Sequence, residues 1–248
     1  MRFASVEMTL KVWHHFATAL IKCSMIFCFS DIDFDKVAEE YGAMISPNDI
    51  LLFTREVVGL VDLPAELSGK TSVFKDIVEY SKDKGVIVIV AMRAKIGEKI
   101  FNSAMVIDNG RILGVSDEVS PPKGYVGSST VRSYFTSRGK ICIFVDSDIC
   151  YPALWQSALD GCRYIFNLNS AEADNERISC AKTLACASGK YTLCKFADSG
   201  VCVNSYGKIE SVKWGRMTAF YMPLTFAVGR TVKGKIKFVD EKDTRCRL

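Results

Sequence analysis

Short apolar runs alternate with helical segments along most of this sequence, and this alternation is the feature that most restricts its fold. Residues 72–84 carry apolar side chains at the spacing of one helix face, and Gly85 follows them directly. The apolar run Val86–Val90 comes next and is typical of a buried strand. A helix that ends at a glycine and leads at once into a strand is a unit of α/β proteins.

The same patterns predict the other regular elements. Strands are predicted at residues 2–8, 23–30, 49–53, 141–145, 163–168 and 191–196, and helices at residues 10–22, 35–44, 152–159 and 175–189. Two hairpins are predicted, one over residues 103–115 with its turn at Asn109-Gly110, and one over residues 201–212. Because Asn-Gly between two apolar runs is a strong hairpin signal, the sequence predicts an α/β fold with mixed sheets.

Composition and charge exclude several classes of protein. The chain has 248 residues, of which 49% are hydrophobic and 24% charged, and these are values of a globular protein rather than a disordered one. The net charge is +4 and the charges are interleaved, so we expect no nucleic-acid partner. No apolar run reaches the ~20 residues of a membrane span and no signal peptide is evident. We therefore expect a cytoplasmic protein, with one domain over residues 1–248 and no membrane contact.

The ten cysteines follow no disulfide or metal pattern. No C-x-x-C pair occurs, and the two histidines, His14 and His15, are adjacent in sequence and far from most of the cysteines. A structural zinc site needs ligands paired at short spacing. Most cysteines lie in apolar runs, as Cys142 and Cys202 do, where a free thiol behaves as a small buried hydrophobic group. We therefore expect reduced thiols, no metal and no cofactor.

Three segments carry motifs that point to a known family. Residues 102–114 read NSAMVIDNGRILG, residues 139–152 read GKICIFVDSDICYP, and residues 181–196 read AKTLACASGKYTLCKF. In their order and spacing these segments resemble the nitrilase, or carbon–nitrogen hydrolase, superfamily, and the resemblance covers about residues 35–238. It implies a four-layer α-β-β-α sandwich that assembles as a homodimer or a higher oligomer. The N-terminal region fits the family less well.

The resemblance also implies where the catalytic residues belong. Members of the family cleave amide or nitrile C–N bonds with a cysteine nucleophile, a glutamate base and a lysine that stabilises the oxyanion. On this chain the glutamate position is Arg55, the lysine position is Glu118 and the cysteine position is Asp146. A guanidinium does not deprotonate in proteins, Glu118 carries the wrong charge for an oxyanion, and a carboxylate is a weak nucleophile. The resemblance therefore implies a catalytically inactive homologue, a pseudoenzyme.

The three substituted positions hold one cation and two acids. An arginine can take a carboxylate in two parallel hydrogen bonds. Arg55, Glu118 and Asp146 therefore predict an inert ion-pair cluster. The alternative is a pocket for a small polar ligand, such as one with an amino group that faces the two acids. We favour the inert cluster.

Two other interpretations stay open. Glu56, Lys123 and Cys150 are the right three residue types for a displaced triad. However, a shift of one residue in a strand turns the side chain to the opposite face. Alternatively, the chain is a regulatory or assembly subunit of another nitrilase-like protein, although nothing in the sequence names such a partner.

Overall fold

The computed structural model describes residues 24–30, 32–210, 212–214, 216–222, 228–232 and 235–239. Backbone contacts divide the chain into two compact units, one over residues 25–220 and the other formed by residues 1–24 and 221–248. The strand predicted at residues 2–8 and the helix predicted at residues 10–22 lie outside the described residues. The single domain over residues 1–248 stays a prediction.

The helices and strands in the described ranges follow the predicted alternation. The helices are α1 (Phe34–Tyr41), α2 (Leu63–Leu67), α3 (Lys75–Lys84), α4 (Gln156–Leu159) and α5 (Asn175–Ser188). The strands are β1 (Ser24–Phe29), β2 (Ile50–Phe53), β3 (Leu60–Asp62), β4 (Ile87–Ile96), β5 (Lys99–Asp108), β6 (Arg111–Asp117), β7 (Arg132–Thr136), β8 (Gly139–Val145), β9 (Tyr164–Leu168), β10 (Thr192–Lys195), β11 (Gly200–Val203), β12 (Ile209–Glu210), β13 (Val212–Trp214), β14 (Met217–Met222), β15 (Val228–Val232) and β16 (Lys235–Val239).

The strands form two mixed sheets and a separate hairpin. The first sheet has the order β13-β14-β1-β2-β4-β5-β6, with β3 also paired to β4. In it β1, β2 and β4 are parallel, whereas β4, β5 and β6 are antiparallel. The second sheet has the order β12-β11-β10-β9-β8-β7, and β8, β9 and β10 are parallel. The hairpin of β15 and β16 is antiparallel.

Alternate side chains of the strands pack on opposite faces of each sheet. One face of the first sheet forms a buried cluster with side chains of α1 and α3. One face of the second sheet forms a buried cluster with side chains of α5. The other two faces meet, since Lys195 Nζ donates to Ser30 Oγ over 2.8 Å and a Cβ added at Gly200 would lie 2.8 Å from Cys28 Sγ. Helices therefore cover the outer faces of two packed sheets, which confirms the predicted α-β-β-α sandwich.

Local sequence signals account for the best-predicted boundaries. The Asp174 side chain accepts from Arg177 N at the start of α5, and Gly189 ends the helix with a φ of 65°. The first hairpin turns at Asn109 and Gly110, whose φ angles of 48° and 76° suit a type I′ turn. Both signals are local, so neither depends on the rest of the fold.

The helix predicted at residues 152–159 is wrong. The chain instead makes a 3₁₀ turn at Asp146–Cys150, a second one at Pro152–Leu154, and then the short helix α4. Pro152 has no N–H to donate, so a helix cannot run through it from the preceding turn. Strands β3 and β7 and helix α2 were not predicted, because they are short and carry little apolar periodicity.

The described helices were also compared with the requirements of a membrane span. None of those in the described ranges combines the length and the apolar character that crossing a bilayer requires.

Candidate active site

The three predicted site residues each follow the end of a strand. Arg55 begins the 3₁₀ turn Arg55–Val57 shortly after β2, Glu118 follows β6 directly, and Asp146 begins the 3₁₀ turn Asp146–Cys150 after β8. The loops that leave parallel strands at their carboxyl ends are the usual place for a binding site in an open α/β sheet.

Asp146 is held by the segment that follows β9. Its φ is 46°, in the left-handed region that few residues other than glycine, asparagine and aspartate adopt. Its carboxylate oxygen Oδ1 accepts from Ser170 N at 2.7 Å and from Ser170 Oγ at 2.8 Å. Asn167 Nδ2 donates to the Asp146 carbonyl over 3.3 Å. The residue at the nucleophile position is therefore buried and fixed by neutral donors.

Glu118 is also buried and fixed by neutral donors. Its side chain accepts from Asn102 Nδ2 at 2.8 Å and from Ser147 Oγ at 2.8 Å. Burial raises the pKa of Glu118, and the nearby charge of Asp146 raises it further. Because Ser147 follows Asp146 directly, this contact ties the end of β6 to the turn after β8.

Asp148 belongs to the same site, although the sequence reading did not select it. Its carboxylate accepts from Val119 N at 2.9 Å and from Ser120 N at 3.2 Å. Burial raises the pKa of Asp148 to about 6, and the charges of Glu118 and Asp146 add to the rise. An Asp-x-Asp directly after a buried strand was the signal in the sequence. Glu118, Asp146 and Asp148 are called the acid network below.

Arg55 does not join the acid network. Its Nε lies 3.5 Å from Glu56 Oε1, and 33% of its side chain is exposed. Within the described residues no ion pair links Arg55 to Glu118 or Asp146. The predicted three-residue ion-pair cluster is therefore not formed, because Arg55 starts an exposed turn where water and Glu56 satisfy its charge.

The cation that acts on Asp146 is Arg177 of α5. Burial alone would lower the pKa of Arg177, but its pairing with Asp174 raises it, and the charge of Asp146 adds to the rise. Sequence reasoning missed Arg177 because it lies far along the chain, on a helix that only the tertiary fold brings to the turn after β8.

The alternative triad is not assembled either. Glu56 and Lys123 are exposed, and no hydrogen bond or ion pair in the described ranges joins either of them to Cys150. Cys150 is partly buried, and burial together with a hydrogen bond to Cys180 raises its pKa to about 12. A thiol with that pKa is protonated near neutral pH and is a poor nucleophile.

Ligand geometry for a metal was also considered. In the part of the chain that the structure describes, no group of three or more histidine, cysteine, aspartate or glutamate side chains is placed to hold an ion.

Comparisons with known proteins bear on the fold. No sequence-family model and no curated protein matches this chain. Among solved structures, the amidase from Nesterenkonia sp. AN1 with acrylamide added at its active-site cysteine is 13% identical, with a TM-score of 0.64 over 81% of this chain and 93% of that one. The chain has the fold of the nitrilase superfamily.

Two further structures with this nitrilase fold agree. A cysteine-to-serine variant of the Nesterenkonia AN1 amidase, described as belonging to the nitrilase superfamily, is 13% identical, with a TM-score of 0.65 over 82% of this chain and 93% of that one. The carbon–nitrogen hydrolase from Helicobacter pylori G27 is 14% identical, with a TM-score of 0.61 over 82% of this chain and 89% of that one. At these identities the likeness shows the fold alone.

Proposed function

We propose that this chain is a catalytically inactive protein with the nitrilase fold. In this proposal Arg55, Glu118 and Asp146 occupy the positions that base, lysine and nucleophile hold in the active enzymes. The observation that carries the proposal is Asp146, which starts the turn after β8 and whose carboxylate is already bound by Ser170.

The charges around Asp146 oppose amide hydrolysis. Attack by a carboxylate on an amide gives a negatively charged tetrahedral species, which active enzymes stabilise with aimed donors or cations. Here the nearest groups are the carboxylates of Glu118 and Asp148, and both raise or share the local negative charge. Such a site destabilises the oxyanion instead of stabilising it.

The acid network is better suited to a structural role than to ligand binding. Each of its carboxylates takes hydrogen bonds from nearby side chains or backbone N–H groups of this chain. Groups that are satisfied internally lose those bonds when a ligand enters, and that loss costs binding free energy. A small polar ligand, a homodimer or higher oligomer, and a role as an assembly subunit stay predictions, which calorimetry, light scattering and co-purification respectively test.

The direct test is ammonia release from amides and nitriles. Butyramide is a suitable first substrate, since it was bound to a variant of the Nesterenkonia amidase. We expect wild type, Asp146→Asn and Cys150→Ala to release no ammonia above the buffer rate, with the Nesterenkonia amidase as the positive control. Turnover that Cys150→Ala abolishes would establish the displaced triad, and turnover that Asp146→Asn abolishes would establish a carboxylate nucleophile; either result overturns the proposal.

A further inference from the structure

Two pairs of cysteines lie with their thiols within hydrogen-bonding reach of each other. One is Cys150 with Cys180, here called the outer pair, and the other is Cys142 with Cys162, here called the inner pair. All four thiols are free. Each pair joins segments that are separate along the chain.

The outer pair links the turn of the acid network to a helix. Cys150 is the last residue of the 3₁₀ turn Asp146–Cys150, and Cys180 lies in α5. That turn packs against α5, and both cysteines border the same buried cluster of the second sheet. A bond between the two sulfurs would therefore join elements that are already in contact.

Exposure distinguishes the two pairs. Cys150 and Cys180 are both partly exposed, whereas Cys142 is 0% exposed and Cys162 is 2% exposed. A dissolved oxidant reaches a fully buried thiol only when the surrounding structure opens. It can reach the outer pair in the folded protein.

We propose that Cys150 and Cys180 are a modification site, which a low-molecular-weight disulfide such as oxidised glutathione converts to an intramolecular disulfide. The Cys180 thiolate attacks one sulfur of the oxidant, which leaves a mixed disulfide and releases one glutathione thiolate. The Cys150 thiol gives its proton to solvent and attacks the Cys180 sulfur, which releases the second glutathione. The two protein thiols are oxidised and one oxidant molecule is reduced to two thiols.

The bond would restrain the segment that carries Asp146 and Asp148. Before oxidation the turn is held to its surroundings by hydrogen bonds, such as those from Ser170 to Asp146 and from Val119 to Asp148. After oxidation it is also bonded covalently to α5. Amide hydrogen exchange over residues 146–150 should slow in the oxidised protein, because opening of the turn then requires α5 to move with it.

The experiment treats the native full-length chain with oxidised glutathione, blocks the remaining thiols by alkylation, and maps the peptides by mass spectrometry. We expect a cross-linked peptide that joins Cys150 to Cys180, formed at least about tenfold faster than any at the inner pair, because buried thiols react only through opening. Cys186→Ala is the matched control, since Cys186 is an exposed cysteine on the same helix, and it should leave the cross-link unchanged.

Cysteine variants distinguish the outcomes. Cys150→Ala should stop the reaction at a glutathione adduct on Cys180, and Cys180→Ala should abolish the cross-link. The proposal is overturned if Cys150 and Cys180 of the wild type are both alkylated, if both carry glutathione without a cross-link, or if either bonds to another cysteine. Because the wild-type map decides between these outcomes, a variant that fails to fold does not rescue the proposal.

Discussion

The acid network and the turn that begins at Arg55 occupy corresponding strand ends, but they satisfy their charges in opposite ways. Glu118 and Asp148 are each 1% exposed and take hydrogen bonds from donors inside the protein. Arg55 is a third exposed and contacts only its neighbour Glu56 among the ion pairs of the described residues. A buried charge must find partners within the fold, whereas an exposed one is hydrated. Burial, more than charge sign, therefore decides which predicted site residues interact.

The largest effect should come from removing Asp148. In Asp148→Ala the Val119 and Ser120 N–H groups lose their acceptor, and a buried unsatisfied donor costs about 1–3 kcal/mol. Denaturant unfolding should show that loss in the free energy of unfolding. Asp148→Asn, which keeps an acceptor oxygen, is the matched control and should lose less. An unchanged stability in Asp148→Ala would show that the acid network does not hold the turn.

A smaller effect is expected from Ser170→Ala. This change removes the Oγ donor to Asp146 but leaves the backbone donor, so the free energy of unfolding should fall by about 1 kcal/mol. Ser129→Ala, at an exposed position of the loop after β6, is a suitable control and should change stability little. Equal losses in the two variants would contradict the role given to Ser170.

The dependence of stability on pH should depend on the same buried carboxylate. Burial raises the pKa of Asp148 to about 6, so between about 4 and 6 the folded state binds its proton more tightly than the unfolded state does. Its contribution to stability is therefore present at low pH and is lost as the pH rises through 6. The melting temperature of wild type relative to Asp148→Asn should fall between pH 5 and pH 7. A difference that rises over this range would reverse the assignment.

The smallest effect should come from Arg55→Gln. Because Arg55 is partly exposed and pairs only with an exposed glutamate, the free energy of unfolding should change by less than about 0.5 kcal/mol. Arg177→Gln is the contrasting variant, since Arg177 is the cation near Asp146 and is more buried than Arg55. A loss in Arg55→Gln as large as that in Asp148→Ala would place Arg55 in the acid network.

The sequence contains enough information for most of the fold but for only part of the site. Strands such as β4 and the hairpin at Asn109-Gly110 follow from periodicity and turn chemistry, which are local properties. The positions of Glu118 and Asp146 at strand ends follow from motif order. Local patterns cannot give the direction of Arg55, which depends on how exposed its turn is. They also do not bring Arg177 to Asp146, because that contact depends on the packing of α5 against the second sheet.

The central claim is that Asp146 at the nucleophile position leaves the protein without hydrolytic activity. Ammonia release from butyramide by the wild-type protein, measured beside the Nesterenkonia amidase at equal concentration, tests it most directly. The account predicts a wild-type rate equal to that of buffer and of Asp146→Asn. A wild-type rate above both would contradict it.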